Sequence, residues 1–426
     1  MSNDAAVLTA GDKTLELPLT QATEGNSGYG ISQLMKTTGN TTLDPGFTNT
    51  ASCVSKITFI DGDKGILRYR GYPIEQLAAK STFAEVAYLL IYGELPTAEQ
   101  KADFQSKVIG GSMLDERMRD LFRCFPRRSH PMSVLASGVN ALAAFNADHL
   151  SVTDPAEIEQ ATLRLLGQFP TLAAYAFKNS IGEPFLYPKR DIGYVANFLR
   201  MSFGTPAEDY EVDEAVVRAF DTLFILHADH EQNCSTSTVR LVGSSEANIY
   251  ASVAAGVNAL SGPLHGGANQ AVLEMLGQIR DRGLDARSFV SQVKDKDSGV
   301  KLMGFGHRVY KNFDPRAVII KKHADEIISS TGRDNALLDI AKDLEQIALQ
   351  DDYFKERKLY PNVDFYTGLI YEAMGFPPSY FTALFALGRL PGWIAQWREQ
   401  MADPNGKIGR PRQVYIGETE RDYPAN

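Results

Sequence analysis

Residues 216–233 read Val-Val-Arg-Ala-Phe-Asp-Thr-Leu-Phe-Ile-Leu-His-Ala-Asp-His-Glu-Gln-Asn, and they carry both the fold signal and the first cluster of reactive side chains. Apolar residues recur there at intervals of three and four, which is the period of an amphipathic helix. His227 falls on the apolar face, and His230 lies one turn further on. We therefore predict a helix ending in a polar cluster, with His227 as a buried core histidine and His230 as the better candidate for a ligand contact.

The same helical period covers most of the chain beyond residue 75. Thr82-Phe83-Ala84-Glu85 is a capping-box pattern before an apolar run that Gly93 ends. Residues 97–100 open a second helix, which makes a helical hairpin.

Strand patterns are confined to the N-terminal part. Residues 14–19 alternate like a short edge strand, and residues 57–63 run into a hairpin with residues 66–69 as the return strand. The fold class is therefore predicted to be mostly α, with a short β-rich segment at the N-terminus.

The composition is typical of a soluble globular protein. Of 426 residues, 44% are hydrophobic and 22% are charged, and the formal net charge of −9 excludes a general affinity for nucleic acid or anionic membranes. Three scattered cysteines without a CxxC pair argue against a disulfide framework or a thiolate metal site. No signal peptide and no apolar run near the roughly 18 residues of a membrane span occur. We expect a cytoplasmic protein.

A second polar cluster, Gly262-Pro263-Leu264-His265-Gly266-Gly267-Ala268-Asn269, sets a histidine beside glycines. Glycines permit tight turns and close approach of a ligand to the backbone. A helix beginning here would lower the pKa of His265 and favour the neutral imidazole, which can donate a hydrogen bond to a carbonyl turning into an enol. A plain loop histidine between helices is the alternative interpretation.

The third cluster, Gly304-Phe305-Gly306-His307-Arg308-Val309-Tyr310, lies in a basic segment. Residues 301–323 hold six lysines and arginines against one acid, Asp314, so the segment carries +5. This charge predicts an anionic ligand, while Lys321 and Lys322 fit a solvated helix face. The glycines complete no GxGxxG, and no GxxxxGK[ST] occurs, so no nucleotide fingerprint is present.

Two charged residues lie in apolar surroundings. Burial of Asp364, among Val363 and Phe365, would raise its pKa and make it a stronger base, whereas a helix N-cap is the interpretation that the local sequence favours. Arg389 lies in an apolar stretch where a charge needs a partner. Arg410 and Arg412, near the C-terminus, are suited, together with Arg316, to bidentate contacts with a small polycarboxylate.

A zinc site is the rival interpretation of His227 and His230, which share a helix face. Their order, H-x-x-H-E, matches neither the H-E-x-x-H nor the H-x-x-E-H pattern of metalloproteases. We therefore predict that these histidines hold no metal.

Five motifs together resemble one family, the citrate synthases, in their larger bacterial (type II, hexameric-type) form with an extra N-terminal β segment. They occur in the family's order and spacing along nearly the whole chain: Leu226-His227-Ala228-Asp229-His230-Glu231, Gly262-Pro263-Leu264-His265-Gly266-Gly267-Ala268-Asn269, Met303-Gly304-Phe305-Gly306-His307-Arg308-Val309-Tyr310, Pro361-Asn362-Val363-Asp364-Phe365-Tyr366 and Arg410-Pro411-Arg412. The resemblance implies condensation of acetyl-CoA with oxaloacetate, followed by hydrolysis of the citryl thioester. It also implies that no metal and no bound cofactor are needed, since acetyl-CoA is a substrate.

The resemblance also implies roles for individual residues. Asp364 would remove a proton from the acetyl methyl, His265 would hydrogen-bond the thioester oxygen as the enol forms, and His307 would polarise and protonate the oxaloacetate carbonyl.

The same resemblance assigns the binding of the oxaloacetate carboxylates to four residues. These are His230, Arg316, Arg389 and Arg410, with Arg410 coming from the partner subunit. A homodimer would therefore be needed for the site, and type II members are often trimers of dimers.

The family fold implies a division into a β-rich segment and two helical domains. The segment would cover residues 1–60, the large domain 61–276 and 387–426, and the small domain 277–386. The two helical domains would close around the substrates.

Some positions depart from NADH-inhibited type II members. Residues 109–112 read Ile-Gly-Gly-Ser where an arginine–histidine pair is expected, and Asn146 and Gln168 replace a tyrosine and a basic residue, although Arg164 remains. These departures argue against allosteric inhibition by NADH.

Three other functions compete with citrate synthesis. 2-Methylcitrate synthase performs the same chemistry on propionyl-CoA, and one methylene is worth only about 1–3 kcal/mol of discrimination. The N-terminal β segment favours citrate synthase, because propionyl-specific relatives are usually shorter. A silent binding protein on the same fold is opposed by the complete set of site residues, and a metal hydrolase would need chelator-sensitive activity.

Overall fold

The structure is a computed structural model that describes residues 5–330 and 336–424. It divides into two compact units. One contains the residues up to 55 together with those from 408 onward, and the other contains residues 56–407. The predicted division of the helical part at residues 276 and 386 stays a prediction.

The first unit contains short antiparallel pairs and one helical turn. Its elements are β1 (Ala6–Ala10), β2 (Lys13–Leu17), β3 (Leu19–Thr20), β4 (Gly28–Tyr29) and α1 (Leu34–Thr38). β1 pairs with β2, and β3 pairs with β4. The short strands predicted for the N-terminal segment are therefore confirmed.

The second unit begins with a three-stranded antiparallel sheet, in the order of the chain: β5 (Thr58–Asp61), β6 (Ile66–Tyr69) and β7 (Tyr72–Pro73). Thr58 faces Tyr69 and Asp61 faces Ile66, so residues 62–65 form the turn of the predicted hairpin.

Helices build the rest of the second unit, which confirms the mostly α class. They are α2 (Ile74–Lys80), α3 (Phe83–Tyr92), α4 (Ala98–Gly110), α5 (Arg117–Cys124), α6 (Pro131–Phe145), α7 (Pro155–Ile181), α8 (Tyr194–Phe203), α9 (Glu214–His227), α10 (Cys234–Gly243), α11 (Ile249–Leu260), α12 (Ala268–Asp281), α13 (Ala286–Lys294), α14 (Pro315–Ser330), α15 (Ala336–Gln350), α16 (Asp352–Glu356), α17 (Asp364–Ala373) and α18 (Phe381–Met401).

Local sequence signals set several of these boundaries. The side chains of Thr82 and Thr97 cap α3 and α4 in complete capping boxes. In return, the side chains of Glu85 and Gln100, at the third helical position, accept hydrogen bonds from the backbone N–H groups of the two threonines. Gly93 ends α3 in a left-handed conformation with φ of 100°, which costs glycine little. Both predicted helix starts are confirmed.

The core is organised around α18, which is buried from Phe381 to Trp397. It packs against α3, α9, α10 and α11. Beside this layer, α14 packs against α17, and α12 packs against α15 and α17. α14 also contacts α9, so the basic segment, which runs into α14, lies beside the helix that leads into the first histidine cluster.

No helix within the described residues is long and apolar enough to cross a membrane.

Candidate active site

The end of α9 lies against α18 because two glycines of α18 leave room for it. An ideal Cβ on Gly388 would lie 3.0 Å from the Cβ of His227, and one on Gly392 would lie 2.2 Å from the carbonyl oxygen of Ala228. His227 is fully buried, and its Nδ1 lies 2.7 Å from the carbonyl oxygen of Leu223. The prediction of a core histidine is confirmed.

His230 follows α9 and faces the basic segment. Its Nε2 lies 3.2 Å from the hydroxyl of Tyr310, and its ring centroid is 5.4 Å from that of His307. Burial, and then the charge of Arg316, lower the pKa of His230 well below its ordinary value. His230 is therefore a neutral imidazole at pH 7.

His307 is oriented by its own loop. Its Nδ1 accepts hydrogen bonds from the backbone N–H groups of Val309 (3.1 Å) and Tyr310 (3.2 Å). Burial and the charge of Arg316 lower its pKa to about 4, so the ring is neutral at pH 7. Because Nδ1 accepts, the proton of the neutral ring lies on Nε2, which is left as a donor.

A second stretch of backbone supports this loop. The N–H of Gly306 donates to the carbonyl of Tyr360, and the N–H of Asn362 donates to the carbonyl of Gly304. The Asn362 side chain donates to the Gly306 carbonyl and accepts from the backbone N–H of Asp364. The third and fourth clusters of the sequence therefore form one hydrogen-bonded assembly.

His265 lies in the turn before α12, which begins three residues later. Its Nε2 accepts from the backbone N–H of Ser235 (3.2 Å) and lies 2.9 Å from the Ser235 hydroxyl. A backbone N–H can only donate, so the proton of the neutral ring lies on Nδ1. The pKa of His265 is lowered to about 4, as expected, but burial and then Arg389 lower it, rather than a helix terminus.

Asp364 is the first residue of α17, and the cap position before it is Val363, which makes no side-chain cap bond. The N-cap interpretation of Asp364 is therefore wrong by one position. Burial raises the pKa of its carboxyl to about 6, while the charge of Arg316 lowers it. Asp364 as a residue is half-buried, and a carboxyl with this pKa is poised to exchange a proton near neutral pH.

Arg316, at the start of α14, forms a two-point ion pair with Asp314. The distances are 3.0 Å from Nε to Oδ1 and 2.9 Å from Nη2 to Oδ2. Both residues are buried. Burial alone would lower the pKa of Arg316, but Asp314 raises it above its ordinary value. Asp314 also accepts from the backbone N–H of Val363, which ties Arg316 to the start of α17.

Arg389, in α18, is also buried, but its guanidinium makes fewer hydrogen bonds to the described residues than that of Arg316. Its Nε donates to the carbonyl of His227 at 2.6 Å, while its Nη1 is buried without a hydrogen-bond partner among the described residues. Its guanidinium lies 4.9 Å from the ring centroid of Phe385, whose ring also lies beside His265. Burial lowers its pKa to about 10, so it keeps its charge at pH 7.

Six of the seven predicted site residues thus belong to the unit of residues 56–407, and contacts and mutual electrostatic effects connect them. They are His230, His265, His307, Arg316, Asp364 and Arg389. Arg410 belongs to the other unit, where it is exposed. Its place in a site, and the roles of all seven, stay predictions.

Known proteins resemble the whole chain. The family model described as citrate synthase, C-terminal domain, matches residues 46–412. Citrate synthase 1 of Mycobacterium tuberculosis is 61% identical over 422 residues, covering 99% of this chain and 98% of that protein. The citrate synthase of Corynebacterium glutamicum is 56% identical over 420 residues, covering 98% and 96%.

The chain belongs to the citrate synthase family. Identity at this level, over nearly the full length, makes it an enzyme of the citrate (Si)-synthase kind, an acyltransferase.

Solved citrate synthases share the fold. The enzyme of Pyrobaculum aerophilum superposes with a TM-score of 0.82 at 38% identity, covering 88% of this chain and 92% of that one. The enzyme of Thermoplasma acidophilum, in ternary complex with carboxymethyl coenzyme A and oxaloacetate, gives 0.80 at 31% identity, covering 88% and 96%. The predicted citrate synthase fold is therefore confirmed.

A cavity of about 460 Å³ lies apart from the family's predicted site residues, between the end of α4, α6 and α7. Its lining includes Gly110, Asn146, Arg164 and Gln168. Arg164 donates to the Asn146 side chain at 2.9 Å. Of the positions predicted to depart from NADH-inhibited type II members, Gly110, Gly111, Asn146 and Gln168 therefore line one pocket.

Sequence reasoning gave no role to two residues that hold the histidines. Ser235 fixes His265 from the start of α10, and Tyr310 contacts both His230 and His307. Tyr310 is part of the third cluster, and Ser235 follows the first cluster by two positions. The sequence alone gave no sign that they contact histidines, because these contacts form only in the folded chain. Over residues 5–330 and 336–424, no group of three His, Cys, Asp or Glu side chains is placed to hold a metal ion.

Proposed function

We propose that this enzyme condenses acetyl-CoA with oxaloacetate and hydrolyses the citryl thioester to citrate and CoA. One observation carries the proposal. A carboxyl whose pKa is raised to about 6, Asp364, shares a site with neutral imidazoles and with two buried arginines, Arg316 and Arg389. This combination is suited to forming an enol beside a dicarboxylate.

Asp364 acts as the base that removes a proton from the acetyl methyl. A positioned base contributes about 10²–10⁴-fold, and a pKa near 6 lets Asp364 be ionised at pH 7 while it remains basic enough to accept a proton. His265 donates its Nδ1–H to the thioester oxygen as negative charge develops there. Such a donor stabilises the developing oxyanion by roughly 3–4 kcal/mol. The low pKa of His265 keeps its ring neutral in that role.

His307 donates its Nε2–H to the ketone oxygen of oxaloacetate, which makes the carbonyl carbon more electrophilic. The enol carbon attacks that carbon, the new C–C bond forms, and the ketone oxygen takes up a proton. Water then attacks the thioester carbonyl and CoA leaves as the thiol.

The carboxylates of oxaloacetate are held by His230, Arg316 and Arg389, and by Arg410 of a second copy of the chain. Arg389 supports this assignment most directly, because its buried Nη1 has no hydrogen-bond partner among the described residues and is suited to an anionic ligand. Holding two substrates together is worth roughly 7–11 kcal/mol, more than either proton-transfer group supplies. The clamp therefore matters at least as much as the base.

The solved complex of the Thermoplasma acidophilum enzyme supports the substrate assignment, because it contains oxaloacetate and a coenzyme A derivative. The homodimer that Arg410 requires, and the type II hexamer, are proposed with it. Sedimentation velocity of the full chain tests the assembly, since a monomer at working concentration would contradict the shared site.

Thiol release tests the reaction. Acetyl-CoA is incubated with and without oxaloacetate, propionyl-CoA is used in parallel, and free CoA is followed with a thiol-reactive dye. Fast release that needs oxaloacetate and prefers acetyl-CoA is expected. Preference for propionyl-CoA would move the assignment to 2-methylcitrate synthase, and no release from either substrate would contradict the proposed function.

A further inference from the structure

Tyr310 is a buried tyrosine to which the proposed reaction gives no role. It is 1% exposed, and its hydroxyl lies 3.2 Å from Nε2 of His230. Its ring centroid lies 4.9 Å from that of His307 and 5.7 Å from the guanidinium carbon of Arg316. One side chain thus borders three of the residues proposed to hold oxaloacetate.

The backbone around Tyr310 leaves its side chain little freedom. The N–H of Tyr310 donates to Nδ1 of His307, and the next N–H, that of Lys311, donates to the carbonyl of Gly62 at 2.9 Å. An ideal Cβ on Gly62 would lie 2.2 Å from the carbonyl oxygen of Val309, so the turn between β5 and β6 presses directly on this segment. These backbone contacts, the burial of the side chain and its hydrogen bond together hold the hydroxyl opposite His230.

The direction of the hydrogen bond follows from the chemistry of the two groups. Burial raises the pKa of the Tyr310 phenol above its ordinary value, so it keeps its proton, and burial keeps His230 neutral. Between a phenol and a neutral imidazole, the O–H is the stronger donor and the ring nitrogen the stronger acceptor. The phenol therefore donates to Nε2, and the proton of His230 lies on Nδ1.

We propose that Tyr310 is a positioning residue of the oxaloacetate site, which fixes the tautomer and the ring orientation of His230. The inference rests on the proposed function, because it assumes that His230 contacts oxaloacetate. Without the hydroxyl, a buried Nε2 loses its partner, and the ring gains a choice between two tautomers and two orientations. Binding of oxaloacetate then has to select one of them, which weakens the apparent affinity.

The test uses Tyr310→Phe in the full-length protein, with Tyr250→Phe as the matched control. Tyr250 in α11 is equally buried, and its hydroxyl has no hydrogen-bond partner among the described residues. Oxaloacetate affinity is measured by titration calorimetry, and kcat and KM by thiol release. Tyr310→Phe is expected to bind oxaloacetate about tenfold more weakly with kcat within about threefold of wild type, and Tyr250→Phe to match wild type.

A second readout follows the tautomer itself. In protein labelled with ¹⁵N-histidine, the His230 ring of the wild type is expected to show Nδ1 protonated and Nε2 accepting, and this pattern is expected to change in Tyr310→Phe. Unchanged affinity together with an unchanged tautomer would overturn the role of Tyr310. If the wild type itself bound no oxaloacetate, the proposed function would fail instead.

Discussion

The candidate site combines two kinds of buried group, which we call its proton-transfer side and its anion-binding side. On the side of Asp364 and His265, burial favours the uncharged forms, with pKa values moved to about 6 and about 4. On the side of Arg316 and Arg389, the positive charges persist. Arg316 is paired with Asp314, and Nη1 of Arg389 has no hydrogen-bond partner within the part of the chain that the structure describes. Removing a proton from a substrate needs a group that changes charge near neutral pH, as Asp364 does, whereas binding a dicarboxylate needs charges that do not change.

Replacing the proposed base should have the largest effect, and it should change turnover far more than oxaloacetate binding. Asp364→Asn keeps the shape of the side chain but cannot accept a proton, so kcat is expected to fall about 10³-fold while the Kd for oxaloacetate stays within about threefold. Asp352→Asn is the control, since Asp352 is also the first residue of a helix but is exposed. Turnover retained in Asp364→Asn would remove Asp364 as the base.

Replacing Arg389 should weaken the anion-binding side of the site. Arg389→Leu is expected to weaken oxaloacetate binding about 10²-fold, because the substrate loses a desolvated cationic partner. Calorimetric titration measures this, with Arg123→Leu on the exposed face of α5 as the control. An unchanged Kd would mean that Arg389 only stabilises the packing of α9 against α18.

The pH dependence should distinguish the sides without mutation. A carboxyl with a pKa of about 6 is protonated below that pH, so kcat is expected to fall about tenfold between pH 7 and pH 5 as the base is lost. His265 and His307, with pKa values of about 4, stay neutral over this range. The arginines keep their charge, so the Kd for oxaloacetate should change by less than about threefold. A flat kcat would contradict the base assignment.

A change outside the site should have a smaller effect than replacement of Asp364 or Arg389. Gly62→Ala places a methyl against the Val309 carbonyl and shifts the segment that holds His307, so kcat/KM is expected to fall about tenfold. Gly277→Ala in α12 is the control, because a Cβ there has open space. Equal activity of the two variants would show that this loop absorbs the shift.

Sequence patterns predicted the elements that local chemistry decides. The apolar stripe of α9, the capping boxes at Thr82 and Thr97 and the hairpin before residue 70 all depend on neighbours within a few positions, and all three are present. Local sequence also favoured an N-cap at Asp364, which was wrong because the 304–306 and 360–362 segments pair with each other and set the start of α17.

What the sequence could not predict depends on residues far apart in the chain. The pKa of His265 is set by its burial and by Arg389, more than a hundred positions away, and not by a helix beginning beside it. Helices α7 and α18 continue through Pro170 and Pro391, where the local rule would end them, because packing on all sides outweighs the lost hydrogen bond.

The glycines of α18 restrict which substitutions this enzyme can tolerate. Gly388 and Gly392 are in contact with α9 and the residue after it, and Arg389 between them holds the carbonyl of His227. Any side chain at position 392 would displace the backbone that leads to His230. Two residues with no chemistry of their own are therefore as constrained as the reactive ones, and mutational scans of this helix should show intolerance at positions that touch no substrate.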